Sequence, residues 1–198
     1  PVSRRGDTLG VLGRKMVVGP AGFPRSLQSY FTIEMTSIGT RARELLAGPV
    51  GLTAEGSDGR ALAWNSSGFR VLEHDTGMIA WESNSSAGAL RMTVRGSLEF
   101  DGNAEFSVAL TADSAVTLRD VRLELPLRPE VARYLMGLGF KGGARPDSLD
   151  WTWEVKHNQD GAWLGDVNAG LQFSLKDDKY SRPLNTNFYT LKPLVMPV

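Results

Sequence analysis

The stretch Leu90-Arg-Met-Thr-Val-Arg-Gly-Ser-Leu-Glu-Phe100 has the clearest pattern in the sequence. Its apolar residues alternate with polar ones, and this period of two is typical of a strand with one buried and one solvated face. Asp101-Gly102 follows, a pair that favours the tight turn of a β-hairpin. The same alternation returns from Ala104 to Leu110. The stretch therefore predicts an antiparallel hairpin and an all-β fold.

Further strand-like segments lie on both sides of this hairpin. Between residues 50 and 83, short apolar runs are separated by Gly, Ser, Asn and Asp. A longer run, 115–127, changes its apolar phase at Arg119-Asp120, where a β-bulge would keep one face buried. We expect one short helix near 129–136, which begins at Pro129 and stops at Gly137. Many short strands with frequent turns predict a β-sandwich of antiparallel sheets.

The composition excludes several classes of protein. The 22 Lys and Arg residues balance the 22 Asp and Glu residues, and no basic run is present. We therefore expect neither a nucleic acid nor a membrane as partner. The absence of cysteine excludes disulfides and thiolate metal sites. Nothing in the sequence indicates a cofactor.

The two ends of the chain suggest a fragment. The sequence starts at Pro1 and ends in the apolar run Leu194–Val198. We expect a single β-sandwich domain over 1–198 that belongs to a longer multidomain protein. The polar, proline-containing segment 177–198 is predicted to be a loop or linker toward a downstream domain. We also expect export to the periplasm or the exterior, with a signal outside this chain.

Carboxylates are candidates for catalytic groups, because a glycosidase needs two of them on either side of one bond. Asp160 and Asp166 are six residues apart, and Glu154 precedes them. If residues 160–165 form a turn, the two aspartates could approach each other. The alternative is that Asp160-Gly161 is a simple turn and Asp166 a loop acceptor. His157 could join the aspartates in a metal site, but the ligand spacing is poor. The favoured interpretation has no metal.

Three of the five tryptophans lie between residues 151 and 163. Trp151 and Trp153 fit the core face of a strand. Trp163 follows a turn and precedes Gly165-Asp166, so we expect it to be partly exposed. An exposed indole beside polar groups can stack on the apolar face of a sugar ring. The candidate glycan contacts are Trp163, Asp166, Asn168, His157, Asp160, Lys141 and Arg145. The last two could instead hold the loop in place.

The same region carries a family resemblance. The motifs are Gly137-Leu-Gly-Phe-Lys-Gly-Gly-Ala-Arg-Pro146, Trp151-Thr-Trp153 and Asp160-Gly-Ala-Trp-Leu-Gly-Asp-Val-Asn-Ala-Gly-Leu171. With Val11-Leu-Gly-Arg14 and Leu123-Glu-Leu-Pro-Leu-Arg128, the chain resembles the non-catalytic N-terminal region of glycoside hydrolase family 123-like proteins. The resemblance covers most of the chain, from about Thr8 to Pro197.

The resemblance implies an accessory β-sandwich domain of a bacterial carbohydrate-active enzyme that acts on N-acetylhexosamine glycans. The catalytic pair of that family lies in a downstream barrel, so no catalytic residue is assigned to this chain. The expected partners are the catalytic barrel of the same polypeptide and a carbohydrate. Two alternatives stay open: an independent carbohydrate-binding module, and a hydrolase that acts through Asp160, Asp166 or Glu154.

Overall fold

The structure is a computed structural model that describes residues 1–157, 159–177 and 179. This part of the chain contains fifteen β-strands and one single-turn 3-10 helix, Val155–His157. The ten strand pairs with a described register are all antiparallel. The all-β prediction is therefore confirmed. No helix in the described ranges is long and apolar enough to cross a membrane.

The chain divides into two compact units. Unit 1 contains Pro1–Val131 together with the short segment Val167–Ala169. Unit 2 contains Ala132–Asp166 and the described residues from Gly170 onward. The expectation of a single domain over 1–198 stays a prediction. The linker expected at 177–198 lies outside the described residues, apart from 177 and 179.

Unit 1 begins with a five-stranded sheet in which each strand pairs with the next along the chain. Its strands are β1 (Ser3–Arg5), β2 (Thr8–Val11), β3 (Arg14–Val18), β4 (Pro24–Phe31) and β5 (Ile38–Glu44). A two-stranded sheet pairs β6 (Gly51–Gly56) with β11 (Leu118–Glu124). The register of β11 shifts between Leu118 and Asp120, so the predicted bulge at Arg119-Asp120 is confirmed.

A four-stranded meander forms the other large sheet of unit 1. Its strands are β7 (Asn65–His74), β8 (Met78–Ala87), β9 (Leu90–Glu99) and β10 (Ala104–Ala112). The hairpin predicted from residues 90–110 is present as β9 and β10, with Ala104 opposite Leu98. Buried and less buried residues alternate along β9, as the sequence pattern predicts.

The core of unit 1 lies between its two large sheets. Leu9, Met16 and Val18 from the first sheet form one apolar cluster with Ile79 and Trp81 from the second. Because both sheets bury one face in the same cluster, they pack as a β-sandwich. A second cluster is centred on Phe23, Met92 and Val94. Indole Nε1 of the fully buried Trp81 donates to Gly22 O at 2.9 Å, so the largest core residue leaves no buried donor unsatisfied.

Unit 2 is built on a four-stranded antiparallel sheet of order β13-β12-β14-β15. The strands are β12 (Tyr134–Gly137), β13 (Phe140–Ala144), β14 (Gly161–Asp166) and β15 (Ala169–Ser174). Leu138 and Gly139 join β12 to β13, and both have positive φ, at 51° and 81°. Two successive positive φ values are those of a type I′ hairpin turn.

The short helix expected at 129–136 is wrong. Residues 129–133 form turns and irregular backbone, and Tyr134–Gly137 is strand β12. Strand β12 pairs with β13 on one side and β14 on the other. A two-turn helix is marginal by itself, so the hydrogen bonds of a central strand outweigh local helix preference here.

Candidate functional site

The two faces of the sheet in unit 2 have different characters. One face is buried in a cluster centred on Leu135, Leu138 and Ala162. Trp151, Leu164 and Phe173 pack against this cluster. Leu135 lies directly opposite Leu164 in the register of β12 and β14, so both strands direct these residues to the same side. The residues that alternate with Leu135 along β12 and with Leu164 along β14 therefore lie on the other face.

That other face carries large apolar side chains. Met136 lies directly opposite Trp163, and Tyr134, two residues earlier, lies opposite Gly165. Tyr134 is 40% exposed and Met136 is 56% exposed, whereas Trp163 is half-buried. Residues two apart on a strand share a face, so these three side chains form one surface. We define the Trp163 face as Tyr134, Met136 and Trp163 with their glycine neighbours.

Glycines lie beside two of the side chains of the Trp163 face. A Cβ at Gly170 on β15 would lie 2.9 Å from Nε1 of Trp163. The indole therefore extends over Gly170 and rests against the strand. On the opposite side, a Cβ at Gly142 would lie 3.6 Å from the Cβ of Met136. Neither glycine has a side chain, so neither adds atoms to this face beside Trp163 or Met136.

Charged groups border the Trp163 face. The Arg133 guanidinium lies 5.5 Å from the centre of the Tyr134 ring, within the range of a cation–π interaction. It also forms an ion pair with Asp166 at 3.6 Å, and the Asp166 side chain is only 10% exposed. Arg133 therefore connects Asp166 to the aromatic surface. An apolar platform with a phenol and a guanidinium at its border has the groups that a pyranose ring and its hydroxyls require.

Asn168 has a structural role in unit 1. Its Nδ2 donates to Phe31 O at 2.7 Å, and its Oδ1 accepts a hydrogen bond from Arg43. Its backbone carbonyl accepts from Ser29 Oγ at 2.8 Å. Both ends of the Asn168 amide are therefore engaged by protein, which leaves little capacity for a sugar.

The two basic candidates differ in role. Arg145 donates through Nε to Ala132 O at 2.8 Å and through Nη1 to Pro146 O at 3.0 Å. These bonds fix the backbone beside β12 and β13, so Arg145 holds the loop in place. Lys141 is exposed on β13, next to Gly142.

The structure does not bring the candidate carboxylates together. The turn considered at 160–165 is absent, because Gly161–Asp166 is the extended strand β14. Asp160 and Asp166 lie at opposite ends of it, about 20 Å apart at roughly 3.3 Å per residue. A glycosidase pair is separated by about 5–10 Å. Asp160 is also only 2% exposed, so a substrate could not reach it.

His157 and Glu154 form a local pair. His157 Nδ1 lies 2.8 Å from Glu154 Oε2, and both side chains are largely exposed. Glu154 also forms an isolated bridge with Gln159. No cluster of three or more His, Asp and Glu side chains that could hold a metal occurs among residues 1–157, 159–177 and 179.

The two neighbouring tryptophans were predicted together but differ. Trp151 packs against the core cluster of unit 2, as expected. Trp153 is exposed, and its Nε1 donates to Leu175 O at 2.9 Å. The strand expected at 151–155 is not formed, since Trp151–Trp153 has no regular structure.

Sequence reasoning missed Tyr134 and Met136. Both lie inside the expected helix, and Tyr134-Leu-Met-Gly137 has no apolar–polar alternation that would indicate a strand. The one local signal is Gly137-Leu-Gly139, because closely spaced glycines are typical of a turn.

The fold and this surface define a class: an all-β domain with an exposed aromatic sheet face. Residues 2–198 match the family described as glycoside hydrolase 123, third domain. The chain belongs to this family. It is therefore an accessory domain of a glycoside hydrolase family protein. No curated protein and no solved structure matches the chain.

Proposed function

We propose that this accessory domain contacts glycan through the Trp163 face. The observation that carries the proposal is the position of the Trp163 indole, which rests over Gly170 beside Met136. A partly exposed indole that rests against the strand offers a stacking surface to a sugar ring, and it loses little rotamer freedom when a ligand binds. Family membership and the resemblance favour a glycan with N-acetylhexosamine units.

Arg133 and the Tyr134 hydroxyl supply the polar part of the proposed contact. Arg133 is bound to Asp166, so its orientation is set before a ligand arrives. Half of its side chain stays exposed, so donors remain within reach of sugar hydroxyls. The candidates Asp166 and Trp163 thus remain in the proposal, Asp166 as the group that positions Arg133.

The test is a titration of the chain with oligosaccharides that end in N-acetylgalactosamine or N-acetylglucosamine, followed by calorimetry. Trp163→Ala is expected to weaken binding at least about tenfold, which corresponds to roughly 1.4 kcal/mol. Trp153→Ala is the matched control, because Trp153 is also exposed but belongs to no strand of the sheet. Equal binding by the parent chain and Trp163→Ala would exclude this surface.

A second role is structural support of the catalytic barrel of the same enzyme. The observation that favours it is a concentration of exposed apolar side chains at one end of the five-stranded sheet in unit 1, among them Leu12, Ile33 and Met35. Exposed apolar surface is typical of protein contact sites. This role and glycan contact concern different surfaces, so both can be held by one domain.

A further inference from the structure

Strand β10 forms one edge of the four-stranded sheet in unit 1, and it is long, regular and exposed. It spans Ala104–Ala112 and pairs with β9 without a register shift. In the strand order β10-β9-β8-β7 it comes first, and among the described residues no strand pairs with its second edge. Glu105 is its single charged residue, and it contains neither proline nor glycine. An edge of this kind is a template for pairing with another strand.

The other edge strands of unit 1, whose residues are all described, have features that discourage such pairing. The register of β7 shifts twice along β8, and Gly68 in β7 has φ 96°. One register shift interrupts the pairing of β5, and another interrupts that of β11. Strand β1 has only three residues, and β6 is bridged on its second side to Ala61. Bulges, short length and cover are means of blocking an edge, and β10 has none of them.

The backbone hydrogen bonds of the β9–β10 hairpin show which groups of β10 point outward. Glu99 N donates to Asn103 O at 2.8 Å, and Asp113 N donates to Ala89 O at 3.0 Å at the other end. Hydrogen-bonded pairs alternate along an antiparallel ladder, so the odd-numbered residues of β10 bond β9. The even-numbered residues therefore direct N–H and C=O to the open edge: Ala104, Phe106, Val108, Leu110 and Ala112.

The sequence of β10 is complementary to itself about Val108. Val108 lies opposite the buried Val94, so its side chain is on the core side of the sheet, where it is still 39% exposed. If a second copy pairs antiparallel with the two Val108 residues opposite each other, these side chains cover one another. The pairs on the core side are then all apolar: Val108 with Val108, Phe106 with Leu110, and Ala104 with Ala112.

The charge on β10 fits the same register. Glu105 would lie opposite Thr111 of the second copy and not opposite its own counterpart. Like charges directly opposite each other destabilise a strand pair, and this register avoids them. Thr111 lies opposite Arg91 on β9, so each Glu105 would share a row with an arginine of the other copy.

We propose that β10 pairs with β10 of a second copy of this chain, antiparallel and centred on Val108, so that the two four-stranded sheets become one continuous sheet. The two copies are related by a two-fold axis between the Val108 residues, so the outward N–H and C=O groups of each copy meet those of the other. The self-complementary register favours a second copy over an unrelated strand. A single strand pair is a small interface, so a dissociation constant of roughly 1–100 µM is expected.

The test is sedimentation equilibrium of the chain over a range of concentrations. Thr111→Glu places a carboxylate opposite Glu105 of the second copy at both ends of the strand pair, so it should weaken dimerisation at least about fivefold. Glu105→Lys/Thr111→Glu makes both pairs attractive and should bring the dissociation constant back to within about threefold of the parent value. Ser86→Glu is the matched control, because Ser86 also lies opposite Arg91 but on β8, away from the edge.

A second variant addresses the backbone. Val108→Pro removes an N–H that points outward, so no hydrogen bond to β9 is lost, and proline is tolerated at such a position of an edge strand. This variant should prevent dimerisation and keep the far-ultraviolet circular dichroism of the parent chain.

A concentration-dependent dimer that Thr111→Glu weakens and Glu105→Lys/Thr111→Glu restores supports the inference. A chain that stays monomeric up to about 500 µM overturns it, and this result needs no variant to fold. A dimer that neither Thr111→Glu nor Val108→Pro weakens uses another surface and also overturns it. Weakening by Thr111→Glu without restoration in the double variant overturns the register on which the inference rests. Trp163→Ala should leave dimerisation unchanged, so failure of the glycan proposal is distinguishable.

Discussion

Gly96 shows how a single missing side chain fixes the packing of the sandwich core. It lies directly opposite Trp81 in the register of β8 and β9, and a Cβ there would lie 2.3 Å from two ring atoms of Trp81. The Trp81 ring is fully buried and lies 5.9 Å from that of Phe106, so it has no room to move. Gly96 thus interrupts the apolar–polar alternation of β9 because the Trp81 ring leaves no space for a Cβ at this position.

We therefore expect Gly96→Ala to lower the free energy of unfolding by about 3 kcal/mol, near the upper end for overpacking. Urea denaturation followed by tryptophan fluorescence measures the change. Gly51→Ala is the control, because a Cβ at Gly51 meets no atom within 4 Å. A loss at Gly51 as large as that at Gly96 would mean that strand glycines matter for backbone reasons and not for the Trp81 ring.

At the same scale, the candidate site was only partly predictable. Trp163 could be singled out because an aromatic residue beside Gly165-Asp166 stands apart from the strands around it. Asn168 has similar neighbours in sequence, yet it bonds Phe31 and Arg43, which are more than 120 positions away along the chain. A local sequence pattern carries no information on such distant contacts. The sequence alone therefore could not show whether the Asn168 amide binds a ligand or holds the fold together.

At the scale of elements, strands with a strict period of two were predictable, and short ambiguous segments were not. The β9–β10 hairpin and the bulge in β11 both follow from alternation, which reports burial directly. Residues 129–136 contain too few positions to separate a helix from a strand. Their conformation is set by pairing with β13 and β14. The Leu138-Gly139 turn brings β13 to one edge of β12. Strand β14, which pairs with the other edge, comes only after β13 and a long loop, so no local pattern indicates it.

A row of charges across three strands provides an element-scale prediction. Arg70, Glu82 and Arg95 lie directly opposite one another on β7, β8 and β9. Hydrogen bonds from Arg95 and then Arg70 hold the pKa of Glu82 below its ordinary value of 4.5, although desolvation opposes them. A carboxyl whose pKa is lowered by folding stabilises the folded state above its unfolded pKa. This contribution is lost as the pH falls through the lowered, folded value.

Glu82→Gln is therefore expected to be less stable than the parent chain at pH 7. The difference should narrow steadily below about pH 4.5, where the parent glutamate also becomes protonated. Urea denaturation at pH 7 and at pH 3 measures both differences. Glu73→Gln, at an exposed position of β7, should show a much smaller difference at either pH. If Glu82→Gln lowers the free energy of unfolding by the same amount at both pH values, the effect comes from packing and not from the charge of Glu82.

At the scale of the whole molecule, the sequence indicates antiparallel β-structure but not its division into two units. Each unit has apolar clusters of its own: Leu9 and Trp81 belong to a cluster in unit 1, and Leu135 and Ala162 to one in unit 2. Strands of both units show the same alternation, so periodicity cannot assign a strand to one core or the other. Only the pairing of distant segments does so, as in β12 with β14.

Separate cores predict that damage to one core acts mainly on the strands around it. Leu9 and Leu135 are both buried leucines, so Leu→Ala at either removes the same side chain and should cost about 2–5 kcal/mol. In Leu135→Ala, amides of β12 and β14 should exchange faster while those of β8 and β9 keep the parent rates. Leu9→Ala should produce the reverse. Because local opening exposes only the amides whose own unit has lost stability, exchange resolved by strand distinguishes the two variants directly. Equal acceleration in all strands by both variants would show that the two clusters unfold as one cooperative core.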